Sequence, residues 1–178
     1  MVAEREQQTL KRLFLSPLSG LSYFVGIFLA HAAIAIGQTL VVLAIALSFG
    51  APLTGNWGVS SLILVLSVII YVGVGFLLGT QVARRTEDVN ALVAAFGVPL
   101  LILGGAFLPT SLFPASLLTL AQWNPIYHMN EALTAVMTNG ETAGDIADHL
   151  GILGGGAIAV TGLGWWSYQR MVRQERLL

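Results

Sequence analysis

From Leu13 to Ala83 the chain runs 71 residues without an Asp, Glu, Lys or Arg. About a quarter of the residues in a soluble domain are charged, so a run of this length cannot supply a water-facing surface. A bilayer core is about 30 Å thick and takes roughly 20 apolar residues as one helix. The run therefore holds two spans and a turn, with "GAPLTGNWG" (50–58) supplying the Gly, Pro and Asn that turns need. The remaining sequence keeps the same character, with 10% charged residues overall. Spans are expected at about 21–49, 59–79, 89–108 and 150–168. The first is longer than a bilayer requires and can tilt. It is also far longer than the roughly 7–15 residue core of a cleaved signal peptide. The expected fold class is an all-α polytopic membrane protein, one membrane domain over 1–178.

All eight Lys and Arg fall in three places: Arg5, Lys11 and Arg12; Arg84 and Arg85; Arg170, Arg173 and Arg176. The connections at 50–58 and 109–148 hold none. Basic flanks stay on the cytoplasmic side, and four spans put all three places on one side. The expectation is a multi-pass protein of the cytoplasmic (inner) membrane with both termini cytoplasmic. Trp57, Phe107, Phe113, Trp123 and Tyr127 then fall at the outer interface, and Trp165, Trp166 and Tyr168 at the inner one, as anchors. Gly75 with Gly79, and Gly151 with Gly155, have the GxxxG spacing that lets helices approach closely, within the chain or between chains.

Ahead of the first span, "EREQQTLKRLFLSP" (4–17) places Leu10, Leu13 and Phe14 at helical spacing, with Arg5, Gln8, Lys11 and Arg12 covering the other side. Pro17 disfavours helix at Ser16 and ends the segment. The result is a short amphipathic cytoplasmic helix, which serves equally as an interfacial anchor or as a docking surface.

Between 109 and 148, Pro114 opens a helix to about Trp123, and Asn124 caps a second with Pro125 at its first position and Asn139-Gly140 at its close. Two short outer interfacial helices fit better than a span, because Pro125 and Glu131 interrupt the apolar run. His128 and Glu131 stand three apart and are expected to touch as a hydrogen-bonded pair. With Asp145, Asp148 and His149 they match no metal-ligand spacing, so no metal site is expected. Within the spans, His31 and Gln38 share one face, and Asn90 stands alone on another helix. Each either bonds a neighbouring helix or lines a substrate path. Pro99 is expected to kink the third span.

Several function classes are excluded by what is missing. Without cysteine there is no disulfide framework, thiolate metal site or cysteine nucleophile. No GxxxxGK[ST] phosphate loop occurs, so ATP is not bound here in the usual way. The expected spans contain no charge, whereas a proton-coupled carrier keeps one at a cost of about 2.5–3.5 kcal/mol. A stand-alone small multidrug carrier is accordingly disfavoured.

Two blocks carry a resemblance. "EREQQTLKRLFLSPLSGLSYFVGIFLA" is similar to the segment that type-2 ABC-transporter permeases, the ABC exporter membrane domain, place before their third helix. "TEDVNALVAAFGVPLLILGGAFLPTSLFPASLLTLAQWNPIYHMNEAL" (86–133) resembles their fifth helix, Pro-rich turn and short outer helices. The resemblance implies the C-terminal four-helix portion of a six-helix domain. It implies that Glu4, Arg5, Glu6, Thr9, Leu10, Lys11, Arg12 and Leu13 form a coupling helix seated on an ATPase. It further implies that Asn124, Pro125, Tyr127 and Glu131 belong to outer helices shielding the substrate path. The chain departs from the family where Leu103-Gly104-Gly105 replaces a common Leu-Ser-Gly, and where Thr134 replaces an Arg.

The expected function is a permease subunit or partial subunit of an ATP-driven ABC exporter, moving a drug- or lipid-like substrate by alternating access. Such a chain is not itself an enzyme and holds no cofactor, ATP and Mg residing on the partner. Expected partners are the nucleotide-binding subunit, a second membrane subunit in a homo- or heterodimer, and the bilayer, with no nucleic acid. The competing class is a non-transporting four-helix assembly or regulatory subunit.

Overall fold

The computed structural model describes residues 2, 20–51, 55–83 and 85–175. The expected amphipathic helix at 4–17 lies outside the described residues. All regular structure among the described residues is helical. Four stretches are long and apolar enough to cross a membrane: Val25–Ser48, Trp57–Val82, Thr86–Leu103 and Ala147–Arg170.

Helix α1 is Gly20–Ser48, and Gly50 at φ +75° turns the chain after it. Helix α2 is Trp57–Leu77, continued by a π turn over Leu78–Val82. It starts two residues before the expected 59 because Asn56 caps it, its side-chain oxygen accepting from the N–H of Gly58 (2.9 Å) and Val59 (3.2 Å). The third span is broken into α3 (Thr86–Leu92), a π segment (Val93–Gly97) and α4 (Val98–Leu103). Pro99 has no N–H and clashes with a regular helix behind it, and the wide π turn absorbs that conflict. Asp88 accepts from the Arg85 N–H at 2.8 Å and fixes the start of α3. The span ends at Leu103 and not near 108, since Gly105 at φ +79° is left-handed and stops the helix. A 3₁₀ turn (Thr110–Leu112), α5 (Ala115–Ala121) and α6 (Pro125–Met137) follow, then the long α7 (Ala147–Glu175).

The core lies where α2, α6 and α7 meet. Ile63 and Ile70 of α2, Ala132 and Val136 of α6, and Leu153 and Ala157 of α7 are all buried, with Ile146 beside them. Helices α2 and α7 run parallel: Ile70 meets Gly156, Gly73 meets Val160, and Thr80 meets Ser167, in the same order along both. A Cβ at Gly73 would stand 2.2 Å from Val160 Cγ1. Glycine is therefore what brings these backbones together, but not the glycines of the GxxxG pairs. Among the described residues, Gly75, Gly151 and Gly155 have no neighbour within 4 Å of an added Cβ, and Gly79 meets Val2. By contrast, α1 touches α2 along a light seam. The most apolar stretches of α1 and of Thr86–Leu103 bury none of their residues inside the chain, which leaves them to lipid or to other protein.

Candidate functional site

Between α1 and α2 runs a cavity of about 580 Å3. Its described walls are mostly aliphatic, and His31, Gln38, Tyr71 and Thr86 supply polar groups. His31 Nδ1 lies 2.8 Å from the Ile27 carbonyl. A carbonyl accepts only, so Nδ1 carries the hydrogen and the neutral ring offers Nε2 as an acceptor. Both His31 and Gln38 are exposed, and the structure brings them to one groove as their spacing predicts. Asn90 does not join them. It is exposed on α3, and its neighbours Thr86 and Val89 reach the groove instead.

At the end carrying Arg85 and Arg170, the three long helices are joined by rings. Tyr168 of α7 stacks on Tyr23 of α1 at 6.1 Å and on Trp165 at 5.9 Å, and meets Phe76 of α2 at 6.1 Å. Ring pairs at such separations contribute about 0.5–1.5 kcal/mol beyond their buried area. The expectation that Tyr168 anchors the chain at the interface is corrected here, since it is buried at the centre of this junction. Trp166 does face outward, with Arg170 over its ring at 5.5 Å. Directly before Tyr168, the Ser167 hydroxyl meets Thr80 Oγ1 at 2.6 Å and accepts from Gln81 Nε2 at 2.6 Å. These polar residues close α2 onto α7 and escaped the sequence reading, because nothing local marks Ser167 as their partner.

The opposite end is held by α6. Asn124 Oδ1 accepts from the Ile126 N–H at 3.0 Å, so the predicted cap forms, with Pro125 at the first helical position. The same side chain donates from Nδ2 to the Leu100 carbonyl at 2.6 Å. Asn130 donates to the Gly104 carbonyl at 2.7 Å, and Thr110 donates to Glu131. Together these bonds fasten α6 to the end of α4 and to the 3₁₀ turn after it. Gly104 permits the approach, as a Cβ there would stand 2.3 Å from Ile126 Cγ2. Glu131 therefore pairs with Thr110, and the expected contact with His128 is not made. His128 turns instead to His149, Nδ1 to Nδ1 at 2.9 Å, and to the Gln122 carbonyl through Nε2 at 2.8 Å. Tyr127 lies edge-on to His128 at 5.2 Å, and burial together with the Glu131 carboxylate holds its phenol above the usual tyrosine range. Glu4 to Leu13, the expected coupling residues, lie outside the described residues.

Residues 1–166 match the family model described as ABC-2 family transporter protein. No curated protein and no solved structure matches the chain. With four membrane-length helices and a match over most of its length, the chain belongs to the ABC-2 transporter family, whose members are membrane permeases that work with an ABC ATPase.

Proposed function

We propose that this permease serves an ABC exporter and moves a hydrophobic or amphipathic, drug- or lipid-like substrate by alternating access. The observation that carries the reading is the mounting of α1. Its first turns are pinned to α7 by the Tyr23–Tyr168 stack, while the rest meets α2 along a light seam flanked by grooves. A helix held at one end and loosely packed along its length changes its tilt at small cost, because few packed contacts must break. The 4–17 segment precedes α1 and carries the charged and apolar faces of a docking helix. In this reading it rests on a separate ATP-binding subunit at the cytoplasmic face, where both termini lie. Nucleotide-driven movement of that subunit tilts α1 about the ring junction and opens or closes its groove with α2.

The groove supports the substrate class. Among the described residues its polar groups are an imidazole, an amide, a phenol and the Thr86 hydroxyl, without a charged side chain. Such a lining suits a molecule with an apolar body and a few hydrogen-bonding atoms, and offers no compensation to a bare ion. A second membrane subunit, identical or not, would cover the outward faces of α1 and of Thr86–Leu103.

The test is ATP-driven export and substrate-stimulated ATPase activity in proteoliposomes holding the chain and its ATPase. Leu10→Asp with Leu13→Asp should abolish stimulation while leaving the chain folded and inserted. Full stimulation in that variant would overturn the docking role. A chain that never associates with an ATPase would favour the non-transporting assembly subunit.

A further inference from the structure

The pair His128–His149 sits apart from the groove and from the ring junction, and its hydrogens can be assigned from geometry. His128 Nε2 faces the Gln122 carbonyl, which only accepts, so Nε2 carries a hydrogen. The neutral His128 ring then has a bare Nδ1. That atom lies 2.9 Å from His149 Nδ1, which must therefore be the donor. The two rings are opposite tautomers, and His149 holds the one with its hydrogen on Nδ1.

This arrangement accepts one proton without loss. It goes to His149 Nε2, the nitrogen not used between the rings, and the Nδ1–H to Nδ1 bond survives. A second proton must go to His128 Nδ1. Two N–H groups then point at each other, on two cations whose rings are 5.0 Å apart. We propose that His128 and His149 form a proton-operated latch between α6 and the start of α7, closed while the pair is neutral or singly protonated and opened by the second proton.

The surroundings suit this. The charges bearing on His149 are the carboxylates of Glu131 on α6, Asp148 on α7 and Glu141 in the connection between them, with His128 itself. Tyr127 adds a phenol ring 6.1 Å from His149. When the latch opens, α6 keeps its bonds to the end of α4 through Asn124 and Asn130 and to the 3₁₀ turn through Glu131, and parts from α7. The inference rests on α6 and α7 alone and stands whether or not the transport reading holds.

Two experiments on the full chain test it. In the His31→Gln variant, 15N-histidine NMR at about pH 8, above the ordinary histidine range, should show His128 protonated on Nε2 and His149 on Nδ1. Two rings both protonated on Nε2 and titrating independently would overturn the proposal. The second experiment uses the absence of native cysteine. Ala132→Cys places a thiol on the fully buried face of α6, and Asn139→Cys places one in the exposed connection as a reference. The ratio of their maleimide labelling rates should rise about tenfold between about pH 7.5 and 5, the equivalent of one pK unit of linkage. His149→Gln donates to the neutral His128 Nδ1 through its amide nitrogen and, turned over, accepts from the protonated ring through its amide oxygen, so neither opposed N–H groups nor a second cation arises and the rise should fall below about twofold. An unchanged pH response in His149→Gln would overturn the latch, as would a flat response in the unsubstituted pair.

Discussion

Asn124 performs two tasks with one amide, and replacing it separates them. Asn124→Ala removes the cap on Ile126, which costs about 1 kcal/mol. It also removes the bond to the Leu100 carbonyl, worth about 1 kcal/mol. That carbonyl still accepts from the Gly104 N–H at 2.8 Å, so it is not orphaned and the second loss stays small. The sum is about 2 kcal/mol, and at about 2–4 °C per kcal/mol for a chain of this size the melting temperature should fall by about 4–8 °C. Asn124→Asp is the sharper experiment. On an exposed helix end Asp caps as well as Asn. Here the residue is 3% exposed, and the amide nitrogen would become an oxygen facing the Leu100 oxygen. The aspartate can satisfy that carbonyl only when protonated, so its folded pKa must rise above the unfolded value of about 3.9. Its stability is therefore fully present below about pH 4 and is lost as pH rises through the folded pKa. In detergent-solubilised protein, Asn124→Asp should melt below Asn124→Ala at neutral pH and recover on acidification. An Asp variant as stable as the parent at pH 7 would refute the buried contact to Leu100.

Other substitutions probe the packing. Gly55→Ala should be strongly destabilising, by at least the roughly 1–3 kcal/mol of overpacking, because its Cβ would stand 2.0 Å from the Val136 backbone oxygen. Gly151→Ala meets no atom within 4 Å and should raise the melting temperature of the isolated chain, by up to about 1 kcal/mol of helix propensity. Ser167→Ala should cost about 0.6–2 kcal/mol by leaving Thr80 and Gln81 without their shared partner, read from thermal unfolding. Asp145 receives the N–H and the hydroxyl of Thr142, which hold its carboxyl below the ordinary range. Its contribution is present above about pH 4 and fades as pH falls through the lowered value, so Asp145→Ala should abolish that part of the acid sensitivity measured by circular dichroism.

The sequence carries whatever depends on a residue and its near neighbours. The charge-free run located the spans, and Asn124-Pro125 located the start of α6 to the residue, because a cap needs only the backbone two residues on. The π segment before Pro99 is legible as a kink but not as a π turn, since the position says that a bond is lost and not how the chain repairs it. The close α2–α7 contacts within the chain bypass the GxxxG pairs for a related reason, which leaves the expectation of contact between chains for those faces. GxxxG marks a smooth stripe on one helix, and whether a partner lies against it depends on a second helix. The glycines whose added Cβ would press within 3.0 Å of another α-helix, Gly55, Gly73 and Gly104, have no shared spacing. His128 looked toward Glu131 because three residues is one turn, yet its partner is 21 positions away. Of the candidate substrate-path residues, His31 and Gln38 were placed together by periodicity, while Asn90 depended on how α3 docks.

The mobility of α1 against α2 is the claim on which the transport reading turns. Spin labels at Leu40→Cys and Val65→Cys, both exposed and both beside the second α1–α2 groove, report that separation directly in the cysteine-free chain. In the complex with its ATPase, trapping the nucleotide-bound state should shift the measured distance, and Leu10→Asp with Leu13→Asp should erase the shift. An identical distance in the nucleotide-free and nucleotide-trapped complexes would contradict the account.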